Sequence, residues 1–252
     1  MHIRQSLLFI IILLVLLYII LEIQNNEQLV EVFVINLNRS YMRKYSISTQ
    51  LYLHRIEFNI VSAVNGSTHN FNDKEKHLLS GIINEKSEVV ARNKTQTHIE
   101  IERVRNNVMA CALSHIKIWK ENIGRGPILI LEDDMIFYPN LKNNINTSLK
   151  IMEDYDSDWH VLWISSGDPG DREIVGKFGG RYIYKMDPPE YIGQGAMGYI
   201  LSNKGIDYFT RQLEEKGCFC GVDIFLLKTL DIRHAYGIYT PLIFAEFFNS
   251  TI

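Results

Sequence analysis

Cysteine and proline are scarce in this 252-residue chain, which has only three cysteines and six prolines. Three cysteines cannot form an even disulfide framework, and the Cys218-Phe219-Cys220 spacing is too short for an ordinary zinc knuckle. We expect Cys111, which lies in an apolar stretch, to be a small buried residue. A disulfide that involves Cys218 or Cys220 stays open if the compartment is oxidising.

The chain also lacks a strong charge of either sign. Its net charge is −3, and neither a basic stripe nor a long run of one sign occurs. The electrostatic footprint of a nucleic-acid partner is therefore missing, and we predict no nucleic-acid binding. The length and the 46% hydrophobic content favour one α/β domain, or two small ones, with a full core.

Two common phosphate-binding fingerprints are missing as well. The glycine-rich run from Gly193 to Gly198 leads into a strand-like segment, whereas a dinucleotide fingerprint follows a strand and opens a helix. No Walker lysine pattern occurs either. Close packing or a bulge is the simple explanation for these glycines. A phosphate group would therefore be held through a metal ion and scattered side chains.

An unbroken apolar run of 15 residues, from Leu7 to Leu21, stands near the amino terminus. Its length lies between a signal-peptide core and a full membrane span. Arg4 precedes the run and acids follow it, so the positive-inside rule puts the amino terminus in the cytosol. We predict a single-pass signal anchor and linker over residues 1–28, with the domain of residues 29–252 on the lumenal or extracytoplasmic side. A cleaved signal peptide and a peripheral membrane segment stay open.

Strands and helices alternate along the rest of the chain. Val30 to Leu37, Tyr41 to His54 and Phe58 to Val64 read as strand, helix and strand, a βαβ unit that predicts a parallel sheet. The polar region from Ser67 to Asn107 reads as a loop with a short helix near Asp73 to Ile83. Further helices are predicted at Asn107 to Asn122, Asn203 to Lys216 and Val222 to Leu230, and further strands at Val161 to Ser165, Tyr182 to Met186 and Ala235 to Ile243.

The most informative segment is an apolar, strand-like run from Gly126 to Leu131 that ends in Glu132, Asp133 and Asp134. Ligands of open α/β sheets collect at the carboxyl ends of strands. Side chains alternate along a strand, so Glu132 and Asp134 are expected on one side and Asp133 on the other. Two carboxylates on one side can hold a hard divalent cation. The alternative is a turn whose acids are merely solvated.

Other polar residues are ambiguous when each is taken alone. Asn36, Arg39 and Arg43 lie where the first strand gives way to the first helix, but the two arginines also suit a solvated helix face. His115 lies in a helix, where a structural histidine is the simpler explanation. Asp223 stands near a helix start, where it either complements the helix dipole or acts as a general base.

Taken in order, these segments resemble glycosyltransferase family 25. This family contains bacterial lipooligosaccharide galactosyltransferases, eukaryotic procollagen galactosyltransferases and relatives in giant viruses. The matching stretches, which together span about residues 32 to 245, are Val34-Ile35-Asn36-Leu37-Asn38-Arg39, Ala63-Val64-Asn65-Gly66, Cys111-Ala112-Leu113-Ser114-His115, Ile130-Leu131-Glu132-Asp133-Asp134, Gly198-Tyr199-Ile200-Leu201-Ser202 and Val222-Asp223.

The resemblance implies a GT-A-like, Rossmann-type nucleotide-sugar-binding domain with a mostly parallel central sheet. It also implies a UDP-sugar donor, a divalent cation, usually Mn²⁺, and transfer with inversion. In this sequence Glu132 and Asp134 would bind the metal, and Asp223 becomes the candidate catalytic base. The residues that would line the nucleotide-sugar pocket are Asn36, Arg39, Asn65, Gly66, His115 and Asp133.

The sequence departs from the family pattern at two places. Asn65-Gly66 stands where the family usually has Asp-Gly, and Ala110-Cys111 stands where it usually has Gly-Cys. Asparagine can still bond a uridine or ribose, although the charge is lost. A glycan, a lipooligosaccharide and a collagen-like hydroxylysine are all open as acceptors. The alternative classes are a non-catalytic, membrane-anchored carbohydrate-binding protein on a degenerate transferase scaffold and a metal-dependent phosphoesterase or nuclease.

Overall fold

A computed structural model describes residues 28–84, 98–186 and 196–245 of the chain. These residues form ten strands: β1 (Glu31–Asn36), β2 (Asn59–Ser62), β3 (Ile128–Glu132), β4 (Met135–Phe137), β5 (Val161–Trp163), β6 (Ile174–Phe178), β7 (Arg181–Lys185), β8 (Gly198–Leu201), β9 (Ala235–Tyr239) and β10 (Ile243–Ala245). They also form seven α-helices: α1 (Tyr41–Leu53), α2 (Asp73–Leu78), α3 (Ser80–Asn84), α4 (His98–Glu121), α5 (Leu141–Tyr155), α6 (Asn203–Lys216) and α7 (Val222–Thr229). A short 3₁₀ helix covers Ile232–His234.

Eight of the strands form one sheet in the order β2-β1-β3-β8-β5-β9-β7-β6. The pairs β1·β2, β1·β3 and β5·β9 are parallel, whereas the other four neighbouring pairs are antiparallel. The predicted α/β class is confirmed. Most strands run in the same direction, as a mostly parallel sheet requires. Fewer than half of the neighbouring pairs are parallel, however, in part because β8 lies antiparallel between β3 and β5.

The core lies in two layers, one on each face of the sheet. Phe33 and Ile35 of β1 pack on one face together with α4, α6 and α7, whereas Val32 and Val34 pack on the other face with α1 and α5. Successive strand residues alternate between faces, so a strand buried on both sides needs an unbroken apolar run. Complete burial of one such side chain contributes about 1.5–3 kcal/mol.

Gly198, the last residue of the glycine-rich run, lies where β8 passes close to its neighbours. A Cβ placed there would lie 2.1 Å from Cδ1 of Ile243 and 3.3 Å from Cδ2 of Leu131. Close packing, the simple explanation for the glycine-rich run, therefore applies at this position. Gly193 and Gly195 lie outside the described residues.

Several predicted elements have different bounds in the structure. Helix α4 begins at His98, nine residues before the predicted start, and the helix predicted near Asp73 to Ile83 is divided into α2 and α3. The last predicted strand is divided into β9 and β10, with Thr240 at φ 52° between them. Strand β4, helix α5 and strand β6 were not predicted. The other predicted strands and helices are present within a few residues.

The amino-terminal apolar run and the predicted anchor lie outside the described residues, apart from residue 28. Among residues 28–84, 98–186 and 196–245, no helix combines the length and the apolar character that crossing a bilayer requires. The anchor therefore stays a prediction from the sequence.

His160, the residue before β5, allows the pH dependence of stability to be tested at a place away from the strand-end acids. Its ring stacks on Tyr208 with centroids 4.5 Å apart, and the ring of His234 lies 5.0 Å away. Burial, followed by the charge of His234, lowers the pKa of His160 to about 4. The unfolded histidine binds its proton near pH 6.5, so the unfolded state is favoured progressively as the pH falls from there towards 4.

We therefore expect His160→Phe to lose less stability than the unsubstituted protein on acidification. The difference between the free energies of unfolding of the two proteins should change by about 1–3 kcal/mol between pH 7 and pH 4.5. Urea unfolding at both pH values measures it, and His77→Phe, at an exposed helical histidine, is the matched control. Equal acid sensitivity of the His160→Phe and unsubstituted proteins would contradict the expectation.

Candidate functional site

The candidate site lies at the carboxyl ends of β1 and β3. These strands are parallel neighbours, with Ile35 of β1 opposite Glu132 of β3. Asn36 therefore ends its strand beside the start of the run Glu132-Asp133-Asp134. This is the edge of an α/β sheet at which ligands usually bind.

Asn36 connects the two strand ends through a side-chain contact. Its Nδ2 donates a hydrogen bond to Oδ2 of Asp133 at 2.6 Å and lies 3.2 Å from the carbonyl oxygen of Ser40. Asn36 is buried, so these bonds replace water contacts that the amide loses on folding. The bonds fix both the β1–α1 turn and the Asp133 carboxylate.

Arg43 of α1 supplies positive charge at the same edge. Its Nη1 lies 3.3 Å from Oδ1 of Asp133 and 3.5 Å from Oδ2 of Asp134. The helix is held in place by Gln50, whose Nε2 donates to the Met135 carbonyl at 3.1 Å and whose Oε1 accepts from the Phe137 N–H at 3.2 Å. The sequence left Arg43 open between this edge and a solvated helix face, and it was not among the predicted site residues.

Negative charge remains in excess around Asp134. Burial raises the pKa of Asp133, and burial together with the Glu132 carboxylate raises the pKa of Asp134 to about 6, against the opposing effect of Arg43. Oδ1 of Asp134 is buried and has no hydrogen-bond partner among the described residues. Such a set of carboxylate oxygens fits a hard divalent cation.

Glu132 also has a neighbour on α4. Its Oε1 lies 3.7 Å from Nε2 of His115, whereas Arg43 reaches Asp133 and Asp134 together. Strand β3 ends at Glu132 and the next two residues form a turn, so the expected alternation does not continue to Asp134. Glu132 and Asp134 therefore have different neighbours.

His115 is buried between α4 and β8. Its Nδ1 lies 2.8 Å from the hydroxyl of Tyr199, which also accepts a hydrogen bond from Nε1 of Trp119 at 3.1 Å. One helical turn earlier stands Cys111, and one ligand atom from each of Cys111, His115 and Glu132 lies within 4.8 Å of the others. Helix α4 thus places the imidazole of His115 and the thiol of Cys111 next to Glu132.

The cysteines differ from expectation at one position. Cys111 is solvent-exposed and not buried. The atoms packed around the thiol remove water from it. This desolvation, followed by the charges of Glu132 and Asp223, raises the pKa of the thiol. Cys218 and Cys220 are both buried, and neither forms a disulfide in this structure.

The Asn65-Gly66 turn packs against α4. Gly66 is buried, and a Cβ there would lie 2.6 Å from the carbonyl oxygen of Asn106. The N–H of Val64 donates to Oγ of Ser114 at 2.9 Å, one residue from His115. The Ala63 N–H donates to the Asn36 carbonyl at 2.9 Å, which brings this turn beside the end of β1.

Asp223 and Arg39 complete the predicted set. Asp223 lies in the first turn of α7, close enough to Cys111 for its charge to contribute to the raised pKa of that thiol. Arg39 is exposed in the β1–α1 turn, and no hydrogen bond or ion pair among the described residues joins it to the three carboxylates. Direct contacts within the predicted set join Asn36 to Asp133 and His115 to Glu132, and the grouping of the whole set stays a prediction.

Comparison with known proteins supplies a family match. The model of glycosyltransferase family 25 (LPS biosynthesis protein) matches residues 29–166, a range that contains every candidate site residue except Asp223. Procollagen galactosyltransferase 2 of Mus musculus is 31% identical over 139 residues, which cover 53% of this chain and 20% of that protein.

Two further relatives extend the comparison. A protein of Acanthamoeba polyphaga mimivirus that carries the name of a glycosyltransferase is 29% identical over 116 residues, which cover 42% of this chain and 34% of that protein. Procollagen galactosyltransferase 1-A of Xenopus laevis is 26% identical over 175 residues, which cover 69% of this chain and 24% of that protein. The chain spans about a fifth to a third of the length of these three relatives.

Proposed function

Because the chain belongs to glycosyltransferase family 25, we propose that it is a GT-A-like transferase that moves a hexose from a UDP-sugar to an acceptor hydroxyl. Galactose and glucose are the first candidates for the hexose. A glycan, a lipooligosaccharide or a collagen-like hydroxylysine would carry the acceptor hydroxyl. The observation that carries this proposal is the fixed array of Asn36, Arg43 and three carboxylates at the ends of two parallel strands.

Asp134 and Glu132 are the proposed ligands of a divalent cation, with Mn²⁺ as the first candidate. The partnerless Oδ1 of Asp134 and the raised pKa of its carboxyl support the need for positive charge at this point. When bound, such an ion supplies Lewis-acid stabilisation to a diphosphate leaving group. Asp133 is already bonded to Asn36 and Arg43, which suits a residue that orders the pocket.

The nucleotide-sugar pocket is proposed to lie between the end of β1 and the turn that follows β2. Asn36, Asn65 and Gly66 border this space, and Arg39 stands at its exposed rim. The missing side chain of Gly66 lets this turn approach the Asn106 carbonyl of α4 closely. His115 lies behind the pocket, with its Nε2 3.7 Å from Oε1 of Glu132, and lines the inner side of the site in this proposal.

Transfer is proposed to proceed by direct displacement with inversion, as the family resemblance implies. Asp223 would accept the proton of the acceptor hydroxyl as that oxygen attacks the anomeric carbon, and UDP would leave. The apolar run of residues 7–21 is proposed to anchor the chain in a membrane, with the catalytic domain of residues 29–252 on the lumenal or extracytoplasmic side.

A donor screen with the full chain tests this proposal. UDP release is measured from a panel of UDP-hexoses with Mn²⁺, with and without a chelator, and acceptors are then identified by their gain of one hexose in mass. We expect one UDP-hexose to be preferred and the release to stop with chelator. Donor binding without release for every sugar and acceptor would favour the non-catalytic carbohydrate-binding alternative.

A further inference from the structure

Cys111, His115 and Glu132 form a cluster with a ligand chemistry different from that of the strand-end carboxylates. It offers one sulfur, one nitrogen and one oxygen ligand atom, all within 4.8 Å of one another. Nε2 of His115 has no hydrogen-bond partner among the described residues, although the His115 side chain is only 1% exposed. An unpartnered polar atom so deeply buried is costly unless something binds it.

The spacing of the three side chains suits one metal ion. Cys111 and His115 are four residues apart on α4, so they lie on the same helix face. Two ligands of a zinc ion that each lie about 2.0–2.3 Å from it are up to about 4 Å apart. The 3.7 Å between Nε2 of His115 and Oε1 of Glu132 is within that limit, and the Cys111 sulfur lies within 4.8 Å of one ligand atom of each of these residues.

The second nitrogen of His115 also has a suitable partner. The Tyr199 hydroxyl has two acceptor lone pairs, of which one accepts the indole N–H of Trp119. The other can accept the Nδ1–H of His115, which leaves Nε2 with a free lone pair towards Glu132 and Cys111. Metal-bound histidines usually have such a partner at their other nitrogen.

From this geometry we infer that Cys111, His115 and Glu132 bind a zinc-type divalent cation. Thiolate and imidazole ligands favour such ions over Mn²⁺ or Mg²⁺, which prefer oxygen. Binding exchanges the thiol proton of Cys111 for the ion, and the proton passes to solvent. Three protein ligands leave a fourth position for water. This site shares Glu132 with the proposed Asp134 site but takes its sulfur and nitrogen ligands from α4, and its existence does not depend on the proposed transferase activity.

Cobalt binding tests this inference without any assay of transfer. Co²⁺ bound by a thiolate gives a near-ultraviolet charge-transfer band, which Zn²⁺ removes by displacement. We expect the band in the unsubstituted full chain, its loss in Cys111→Ser, and its persistence in Cys218→Ser, where a buried free thiol is removed. We also expect it to persist in Asp134→Asn. Circular dichroism checks the fold of each variant.

Several outcomes would overturn the inference. One is the absence of the band at saturating Co²⁺, and another is a band that survives in Cys111→Ser. A band lost from a folded Asp134→Asn variant would show that the two sites are one. The UDP-release screen measures transfer and not cobalt binding, so either proposal can fail while the other stands.

Discussion

Asp134→Asn and Asp134→Ala are expected to abolish metal-dependent sugar transfer while leaving the fold intact. The carboxylate is one of the two proposed cation ligands, and its Oδ1 has no other partner among the described residues. Loss of a metal ligand removes several kcal/mol of transition-state stabilisation, so the rate of UDP release should fall by about 10³-fold or more.

The fold should survive because Asp134 lies in a place where its own charge is unfavourable. Burial and the neighbouring Glu132 carboxylate raise the pKa of Asp134 to about 6. A neutral amide at this position removes the repulsion from Glu132, and the only ion pair lost is the long one to Arg43 at 3.5 Å. Thermal unfolding and UDP release are measured together. Asp154→Asn, at an exposed acid of α5, is the matched control. Full activity of either Asp134 variant would refute the metal assignment.

The pattern of apolar runs accounts for how far the sequence predicted this fold. Strand β1, helix α1 and strand β3 were predicted close to their bounds because each has a strong local signal. Helix α5 was missed because its sequence is rich in asparagine and lysine, and Asn140 before it has a positive φ of 62° with no side-chain cap. The antiparallel position of β8 depends on which strands pair with each other, and no local sequence pattern encodes that pairing.

The site was predictable where the chain itself brings residues together. Asn36 and Asp133 meet because the ends of parallel strands share one edge, a consequence of topology that the sequence allows. Arg43 and Cys111 were not predictable in the same way. Each lies on a helix whose orientation about its axis is set by packing, and that orientation decides whether the side chain faces solvent, the core or the site.

Asp223→Asn is expected to lower kcat for transfer by about 10²–10⁴-fold, the usual contribution of a general base. The KM for the donor should change little, because Asp223 lies on α7 and not at the ends of β1 and β3. The amide cannot accept a proton, so any residual rate should also lose its acid limb in a pH profile. Initial rates over donor concentration and pH measure all three quantities.

The competing explanation is that Asp223 only complements the helix dipole of α7, where it occupies the first turn. That role predicts a different result, namely a stability loss of about 0.3–1 kcal/mol and an unchanged kcat. Asp207→Asn, at an exposed acid of α6, controls for the general loss of a helix carboxylate. Because a base acts on the rate and a dipole partner acts on unfolding, one variant measured both ways separates the two roles. An unchanged kcat in Asp223→Asn would assign the proton acceptor to another group.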